Sequence, residues 1–319
     1  MQFGDRIGQR IKLHDLHVLI TVVQAGSMNK AASFLNTTQP AISKSIKELE
    51  RTIGLRLLER SAQGVEPTLY GRALLNGGTA VFDDLRLAAK NIESLTDPQA
   101  GEVRIGCNSY LAPGFVAAVI ERLARRYPRI EFRIVAPPLE LVRRELHERR
   151  IDVLVESKLA PHDELSNFEL LYEETFVVAA GINNPWARRR RIKLSELANE
   201  SWILATPESV FGFILSEDFR SAGFDFPLTT VFTHIPDVRM TLLASGRYLT
   251  TLPASVLQLP PKRPHIKVLP VALPKARVAV ELVTLKNRLL SPAAQLFIAT
   301  AREVAKPLAK GNSGRPFRQ

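Results

Sequence analysis

Four side chains, Gln39, Ser43, Lys44 and Lys47, are of the types that grip and read a nucleic acid, and their spacing sets them on one side of a helix. Gln39 suits a bidentate bond to adenine, Ser43 and Lys44 suit base edges, and Lys47 suits a phosphate. Catalytic constellations are missing. The chain has no GxSxG, GxxxxGK[ST] or HExxH, and no GxGxxG after a strand. Its six histidines are dispersed; His14 and His17 flank Asp15 without further ligands and read as surface residues. The one cysteine, Cys107, excludes an internal disulfide and a Cys-based zinc site. No catalytic residue, metal or cofactor is therefore assigned.

The four residues need a helix to hold them, and the surrounding sequence supplies it. Ile42, Ile46, Leu49 and Ile53 recur at four, three and four, which is one buried helical face opposite the polar one. Pro40 falls in the first turn, where a missing N–H costs nothing. Upstream, Ser27 is placed to cap a short helix whose apolar side is Ala31, Ala32, Phe34 and Leu35, and Asn36-Thr37-Thr38 makes the turn between the two. A helix over residues 14–24, with Leu16, Leu19, Ile20 and Val23 inward, precedes them. Short helix, turn and basic-faced helix form the helix-turn-helix pattern, whose second helix enters the DNA major groove. An αα-hairpin with a solvated charged face has the same periodicity.

The wording of the segment goes further. Ala31-Ala32, Leu35, Thr38-Gln39-Pro40-Ala41-Ile42-Ser43-Lys44, Ile46, Leu49-Glu50, Gly54, Leu57 and Arg60 resemble, in order, the winged helix-turn-helix of LysR-type transcriptional regulators. The resemblance implies a sequence-specific regulator that binds double-stranded DNA. The candidate contacts are Ser27, Asn29, Thr37, Thr38, Gln39, Pro40, Ser43, Lys44, Lys47, Arg56 and Arg60. Arg56 and Arg60 belong to a wing in which residues 55–60 and 65–68 pair around Ser61-Ala62-Gln63-Gly64. They suit phosphate or minor-groove contacts, or else serve as solvated strand-edge charges.

Composition bounds these readings. In 319 residues, 45% apolar and 24% charged, there is room for two or three globular domains. A net charge of +11 and a pI near 10 favour a polyanionic partner. Yet residues 1–70 hold nine Lys/Arg against six Asp/Glu, so most of the excess lies beyond them, partly in Arg188-Arg189-Arg190-Arg191-Ile192-Lys193. No N-terminal apolar segment resembles a signal peptide, and no apolar run approaches the roughly 20 residues needed to span a bilayer. A cytoplasmic protein with no membrane partner is expected.

From residue 68 to 95, Leu74, Gly78, Val81, Leu85, Ala88, Ile92 and Leu95 alternate spacings of four and three, a heptad seam on a helix about 42 Å long. Such a seam asks for a partner helix, hence a homodimer; packing on the chain's own C-terminal part is the alternative. Gly77-Gly78 weakens this helix or allows close approach. The family's dimerising linker helix is what the resemblance implies here, with two dimers joining as a tetramer through their effector domains.

Past a Pro- and Gly-bearing boundary, strands alternate with helices. Strands are expected at 102–107, 130–135, 152–156, 168–172, 175–180, 202–205, 229–234, 248–252, 266–269 and 278–285. Helices are expected at 113–126, 139–149, 194–198, 210–222 and 237–244, and from Ser291 to about Lys306. This alternation reads as a mostly parallel α/β sheet. The two-lobed layout resembles the type-2 periplasmic-binding-protein-like effector domain of the same family. Asp152 is kept from its G-x-L-D-L-A-I segment, while Arg149 or Arg150 stands where Gly is usual, and Gly246-Arg247-Tyr248 replaces a Gly-x-Gly. Domains follow as 1–67 for DNA, 68–95 for dimerisation, a hinge at 96–101, and the effector domain at 102–306. Lobe I comprises about 102–175 and 270–306, lobe II about 176–269, with a disordered tail at 307–319.

Ligands of open α/β sheets sit beyond the carboxyl ends of strands, against helix N-termini. That rule selects Asn108, Ser109, Tyr110 and Pro137 in the first lobe and Thr206, Ser209, Phe211 and His234 in the second as candidates for a small-molecule effector. Ser209 also suits a helix cap, Phe211 the core and His234 a strand end. The set contains no obligatory cation. A secreted solute-binding protein would suit the C-terminal two-thirds, but it would carry a signal peptide and no helix-turn-helix.

Overall fold

A computed structural model describes residues 10–61, 64–96, 100–223, 225–227, 229–260 and 262–311. Residues 1–9, wing-tip residues Ala62 and Gln63, hinge residues 97–99 and the tail from 312 lie outside the described residues. The chain divides into two compact units, one ending at Ala89 and the other beginning at Lys90.

The first unit opens with α1 (Leu13–Ala25), α2 (Met28–Phe34) and α3 (Gln39–Ile53). Ile42, Ile46 and Leu49 of α3 are buried against Val18, Leu19 and Val22 of α1 and Met28, Ala31 and Ala32 of α2. Burying each large side chain contributes roughly 1.5–3 kcal/mol. Two apolar faces differ from expectation. On α1 the buried row is Leu16, Val18, Leu19 and Val22, because α2 and α3 cover its two sides together; Ile20 and Val23 are half-buried. On α2, Phe34 is 74% exposed and Met28 fills the core instead. A seven-residue helix turns only Met28, Ala31 and Ala32 inward. Ser27 occupies the N-cap position but makes no capping hydrogen bond.

Polar ties fix the angles between these helices. The buried Asp15 carboxylate accepts from the Ser45 hydroxyl of α3. Glu50 Oε1 accepts from Leu57 N at 2.8 Å and Leu58 N at 3.2 Å, which starts β1 (Leu58–Ser61) against antiparallel β2 (Gly64–Pro67). Thr68 Oγ1 donates to Arg56 O at 2.8 Å and accepts from Gly71 N at 3.0 Å, joining the wing to α4 (Leu69–Thr96). On α4, Leu74 and Leu75 pack on the core and Gly78 lies against Leu16, so close approach at the glycine pair is to α1 of the same chain. Val81, Leu85, Ala88 and Ile92 of the seam face outward; the side chain of Leu95 lies outside the described ones.

The second unit contains β3 (Ala100–Cys107), α5 (Ala117–Arg126), β4 (Arg129–Val135), α6 (Leu139–His147), β5 (Val153–Ser157) and β6 (Ser166–Gly181). Then come β7 (Trp202–Leu204), α7 (Val210–Ser221), β8 (Thr229–Phe232), α8 (Pro236–Ala244) and β9 (Leu249–Pro253). The chain closes with α9 (Ala254–Gln258), β10 (Ile266–Val268), β11 (Arg277–Leu285) and α10 (Pro292–Gly311). The strands run in the order β4-β3-β5-β11-β6-β9-β7-β8, with β10 on β6. Residues up to Thr175 of β6 pair with β11, and from Phe176 onward they pair with β9. One strand thus serves two lobes.

Three expectations are corrected. The two strands expected at 168–172 and 175–180 are one, because Glu173 and Glu174 between them both have partners: Arg277 at 3.4 Å and the Ser255 backbone N–H at 3.2 Å. The sheet is mixed instead of mostly parallel. Ladders β4-β3-β5 and β9-β7-β8 are parallel, whereas β11, β6 and β10 pair antiparallel where the chain passes between lobes and returns. And α10 continues through Pro307 to Gly311, so residues 307–311 are helical, with Leu308 buried in the lobe I core. The expected helix at 113–126 begins as a π-helical turn, Ala112–Val116, where Gly114 lies against the Val256 backbone. Arg149 has φ 58° at the end of α6, the left-handed position where the family pattern has Gly. Asp152 beside it is held by Arg104 and by Arg288 Nη2 at 2.9 Å.

Candidate nucleic-acid interface and effector cleft

Packing of α3 on α1 and α2 leaves only one face of α3 open, and that face carries the polar set. Gln39, Pro40, Lys44 and Lys47 are exposed, Ser43 is half-buried, and Arg51 extends the stripe toward the C-terminus. Thr37 and Thr38 are exposed in the turn, which Asn36 makes with φ 49°. Asn29 is exposed on the first turn of α2, and Ser27 is half-buried before it. Arg56 is exposed just before the wing; Arg60 pairs with Val65 in the β1–β2 register, and its side chain lies outside the described ones. One contiguous polar and basic face therefore holds the N-terminus and outer side of α3, a geometry suited to base edges and phosphates.

In the second unit a cavity of about 810 Å³ opens between the lobes. Asn108, Ser109, Tyr110 and Pro137 border it from lobe I, and Ser209, Phe211 and His234 from lobe II. Thr206 does not border it. Its carbonyl instead accepts from Ser209 Oγ at 2.6 Å, while Ser209 Oγ accepts from Gly212 N at 3.1 Å, so both close the turn that starts α7. Asn108 Oδ1 accepts from Ser157 N at 2.8 Å, which fixes the loop after β3. Tyr110 and Phe211 meet edge-on with ring centres 4.3 Å apart, and Phe176 lies 5.4 Å from Phe211. Burial pushes the Tyr110 phenol well above its ordinary range, against the lowering effect of Ser157, and among the described residues its hydroxyl makes no hydrogen bond of good geometry. It is a neutral donor at the cavity wall.

Sequence reasoning missed several lining residues, above all Phe176, Arg239, Arg263 and His265. Arg239 stands on the first turn of α8, the helix that follows β8, and its position one turn past a strand end was the signal available. Its guanidinium is largely buried, donates to Thr233 O at 2.7 Å and Thr251 O at 3.1 Å, and has no carboxylate partner among the described residues. Burial lowers its pKa to about 10, which leaves it charged at neutral pH. The cleft therefore contains a cation. Cys107, the last residue of β3, is buried in the lobe I core, and burial pushes its thiol up to about 12, so it is a neutral core side chain.

Residues 13–72 match the helix-turn-helix region of bacterial regulatory proteins of the lysR family, and residues 96–306 match the LysR substrate binding domain. The chain belongs to the LysR family. It is a DNA-binding transcriptional regulator with a substrate-binding effector domain, in a family made of transcriptional regulators. It is 25% identical to the regulator GbpR of Azospirillum brasilense over 92% of this chain and 86% of that one. With the regulator YnfL of Escherichia coli (strain K12) it shares 30% identity over 90% of this chain and 96% of the other. Among solved structures, full-length OxyR from Pseudomonas aeruginosa gives a TM-score of 0.64 at 21% identity, covering 91% of this chain and 97% of that one. Full-length CbnR complexed with its target DNA gives 0.53 at 20%, covering 92% and 100%. These likenesses support the same fold. Among the described residues no helix is long and apolar enough to cross a membrane, and no group of three or more His, Cys, Asp or Glu could hold a metal ion.

Proposed function

We propose that this regulator selects its operator through Gln39, Ser43 and Lys44, and holds the duplex through Lys47, Arg56 and Arg60. Ser27, Asn29, Thr37, Thr38 and Pro40 line the approach to the backbone. The observation that carries this reading is the single open face of α3, which concentrates these groups while its other face is buried. Residues 1–67 act as the DNA-binding domain, 68–95 as the dimerising helix and 102–306 as the sensor, and two dimers assemble as a tetramer. The protein works in the cytoplasm, without catalysis. A small molecule in the inter-lobe cleft, bordered by Asn108, Tyr110, Pro137, Phe211 and His234, favours one arrangement of the lobes over another. The relation between dimers changes with it, and so does the spacing or bend of the bound DNA.

Selection of binding sites from random duplexes, followed by anisotropy titrations across salt concentrations, tests the DNA half. Gln39→Ala and Lys44→Ala are each expected to lose about 1–3 kcal/mol on the selected site and to relax base choice. Lys47→Ala and Arg60→Ala are expected to weaken binding to every sequence and to flatten the salt dependence. Equal losses of Gln39→Ala and Lys44→Ala on random DNA would remove those residues from base readout.

A further inference from the structure

The cleft wall holds a largely buried cation that faces carbonyls and no carboxylate among the described residues, and resting on the reading that this is the effector site, that cation narrows the effector's chemistry. Arg239 borders the cavity, is largely buried, and faces two backbone carbonyls with no carboxylate among the described residues. Its Nε has no hydrogen-bond partner among the described residues. A buried cation ordinarily has an anionic neighbour, because desolvation of a charge without one is costly. The remaining wall says what surrounds that anion. Tyr110, Phe176 and Phe211 form an aromatic corner in the same cavity, so the body of the molecule is apolar or aromatic. Charge at the rim limits how much negative charge fits. Glu208 and Asp237 are exposed lining residues and oppose Arg239 and Arg263, while His234 and His265 are exposed. Arg263 also spends part of its guanidinium on Pro113 O at 3.0 Å and on Val256 O. These four formal charges cancel over the whole lining, so the place for one negative charge is local to Arg239, whose partners are two carbonyls, and a second negative charge meets the two rim carboxylates.

The geometry points to Arg239 as the residue that selects for charge, and to a monoanionic organic acid with an apolar or aromatic body as the class of effector. The carboxylate or equivalent anion displaces no internal ion pair of Arg239, and gains a charge-assisted bond that a neutral analogue lacks.

Thermal unfolding of the full-length protein tests this against matched probes: phenylacetate, phenylacetamide and phenylmalonate, and hexanoate, hexanamide and adipate. The monoacids are expected to raise Tm more than their amides or the diacids. Arg239→Gln is expected to abolish that preference, with Kd for the best monoacid rising roughly ten- to a hundredfold, while Arg239→Lys, which keeps the charge, retains a weaker preference. Overturning results are a wild type in which no monoacid exceeds its amide, or an Arg239→Gln protein that keeps the preference while its own cooperative unfolding is intact. If Arg239→Gln does not fold, loss of the preference in a folded Arg239→Lys overturns the assignment instead. Ala136→Trp, which fills the cavity from an exposed lining position, separates the two claims. A monoacid shift that survives it refutes the cleft as effector site. Amide shifts that vanish with it, in a protein showing no charge preference, leave the cleft reading standing and refute Arg239.

Discussion

Replacing Leu85 by Asp tests whether α4 is a subunit interface. In the single chain Leu85 is 49% exposed, in line with Val81 at 42% and Ile92 at 65%, whereas Leu74 of the same seam is held in the first unit's own core. Completely burying a leucine contributes roughly 1.5–3 kcal/mol, so covering the open half contributes about half of that in each chain. A two-fold axis repeats the contact, which restores roughly 1.5–3 kcal/mol per dimer for Leu85 alone. Asp removes this contribution and also sets two carboxylates along one apolar seam, each of which loses hydration on association. A total loss of at least about 3 kcal/mol is expected, or a dimer Kd raised more than about a hundredfold. The side chain is already half in solvent, so Leu85→Asp leaves the core of the first unit untouched. Sedimentation velocity over a concentration series reads the result. Asn76→Asp is the control: it is exposed on the same helix, nine positions away at about 100° each, which is the opposite side. A Leu85→Asp protein with the wild-type dissociation constant, or an Asn76→Asp protein equally weakened, refutes the seam as an interface.

Two further perturbations probe how each unit is held. A Cβ on Gly71 would lie 2.1 Å from Leu57 O, so Gly71→Ala must push α4 off the wing; about 1–3 kcal/mol of destabilisation is expected. Gly77→Ala meets nothing within 4 Å and is expected to raise stability by up to about 1 kcal/mol. Calorimetry showing the two variants alike would discount the close contact. In the effector domain, burial raises the carboxyl pKa of Glu174, despite the bonds it accepts from Ser255 and Tyr172. The folded state therefore keeps this proton to higher pH than the unfolded chain. Its contribution is fully present below the ordinary carboxylate value near 4.3 and is lost as pH rises through the raised folded value. Glu174→Gln should flatten the fall in Tm as pH rises above the ordinary carboxylate value; parallel profiles for the two proteins would count against a strained Glu174.

Much of the first unit was legible because its periodicity is local. The Ile42-Ile46-Leu49 row and the polar stripe opposite it are both set by 3.6 residues per turn, and the structure buries the one and exposes the other. The exchange of Phe34 for Met28 was not legible, since it depends on where a short helix ends relative to its neighbours. Within the second unit, alternation located nearly every strand but hid the continuity of β6. A buried Glu174 reads as a break until Ser255, 81 positions later in the chain, is known to lie beside it. Asn108, Tyr110, Ser209 and Phe211 could be chosen by the strand-end rule, and all four border the cleft. Thr206 fails the same rule because the turn it helps to close uses its carbonyl.

Arg239 shows why the chemistry of the cleft was harder to read than its position. An arginine on a short helix is by default a solvated charge, and nothing within a few residues of it distinguishes it from Arg220 on α7, which pairs with Glu217. Its different fate follows from the return of the chain after α8. β9 runs back beside it and presents Thr251 O, Thr233 O closes the other side, and neither supplies a negative charge. The same return places Phe176, the first residue of β6 to pair in lobe II, on the cavity wall facing Tyr110 of lobe I at 6.5 Å. A molecule lodged there touches the crossing strand and both lobes at once. It can therefore discriminate between lobe arrangements, and differential contact of that kind is the one physical means by which binding at the cleft shifts an equilibrium felt at the DNA.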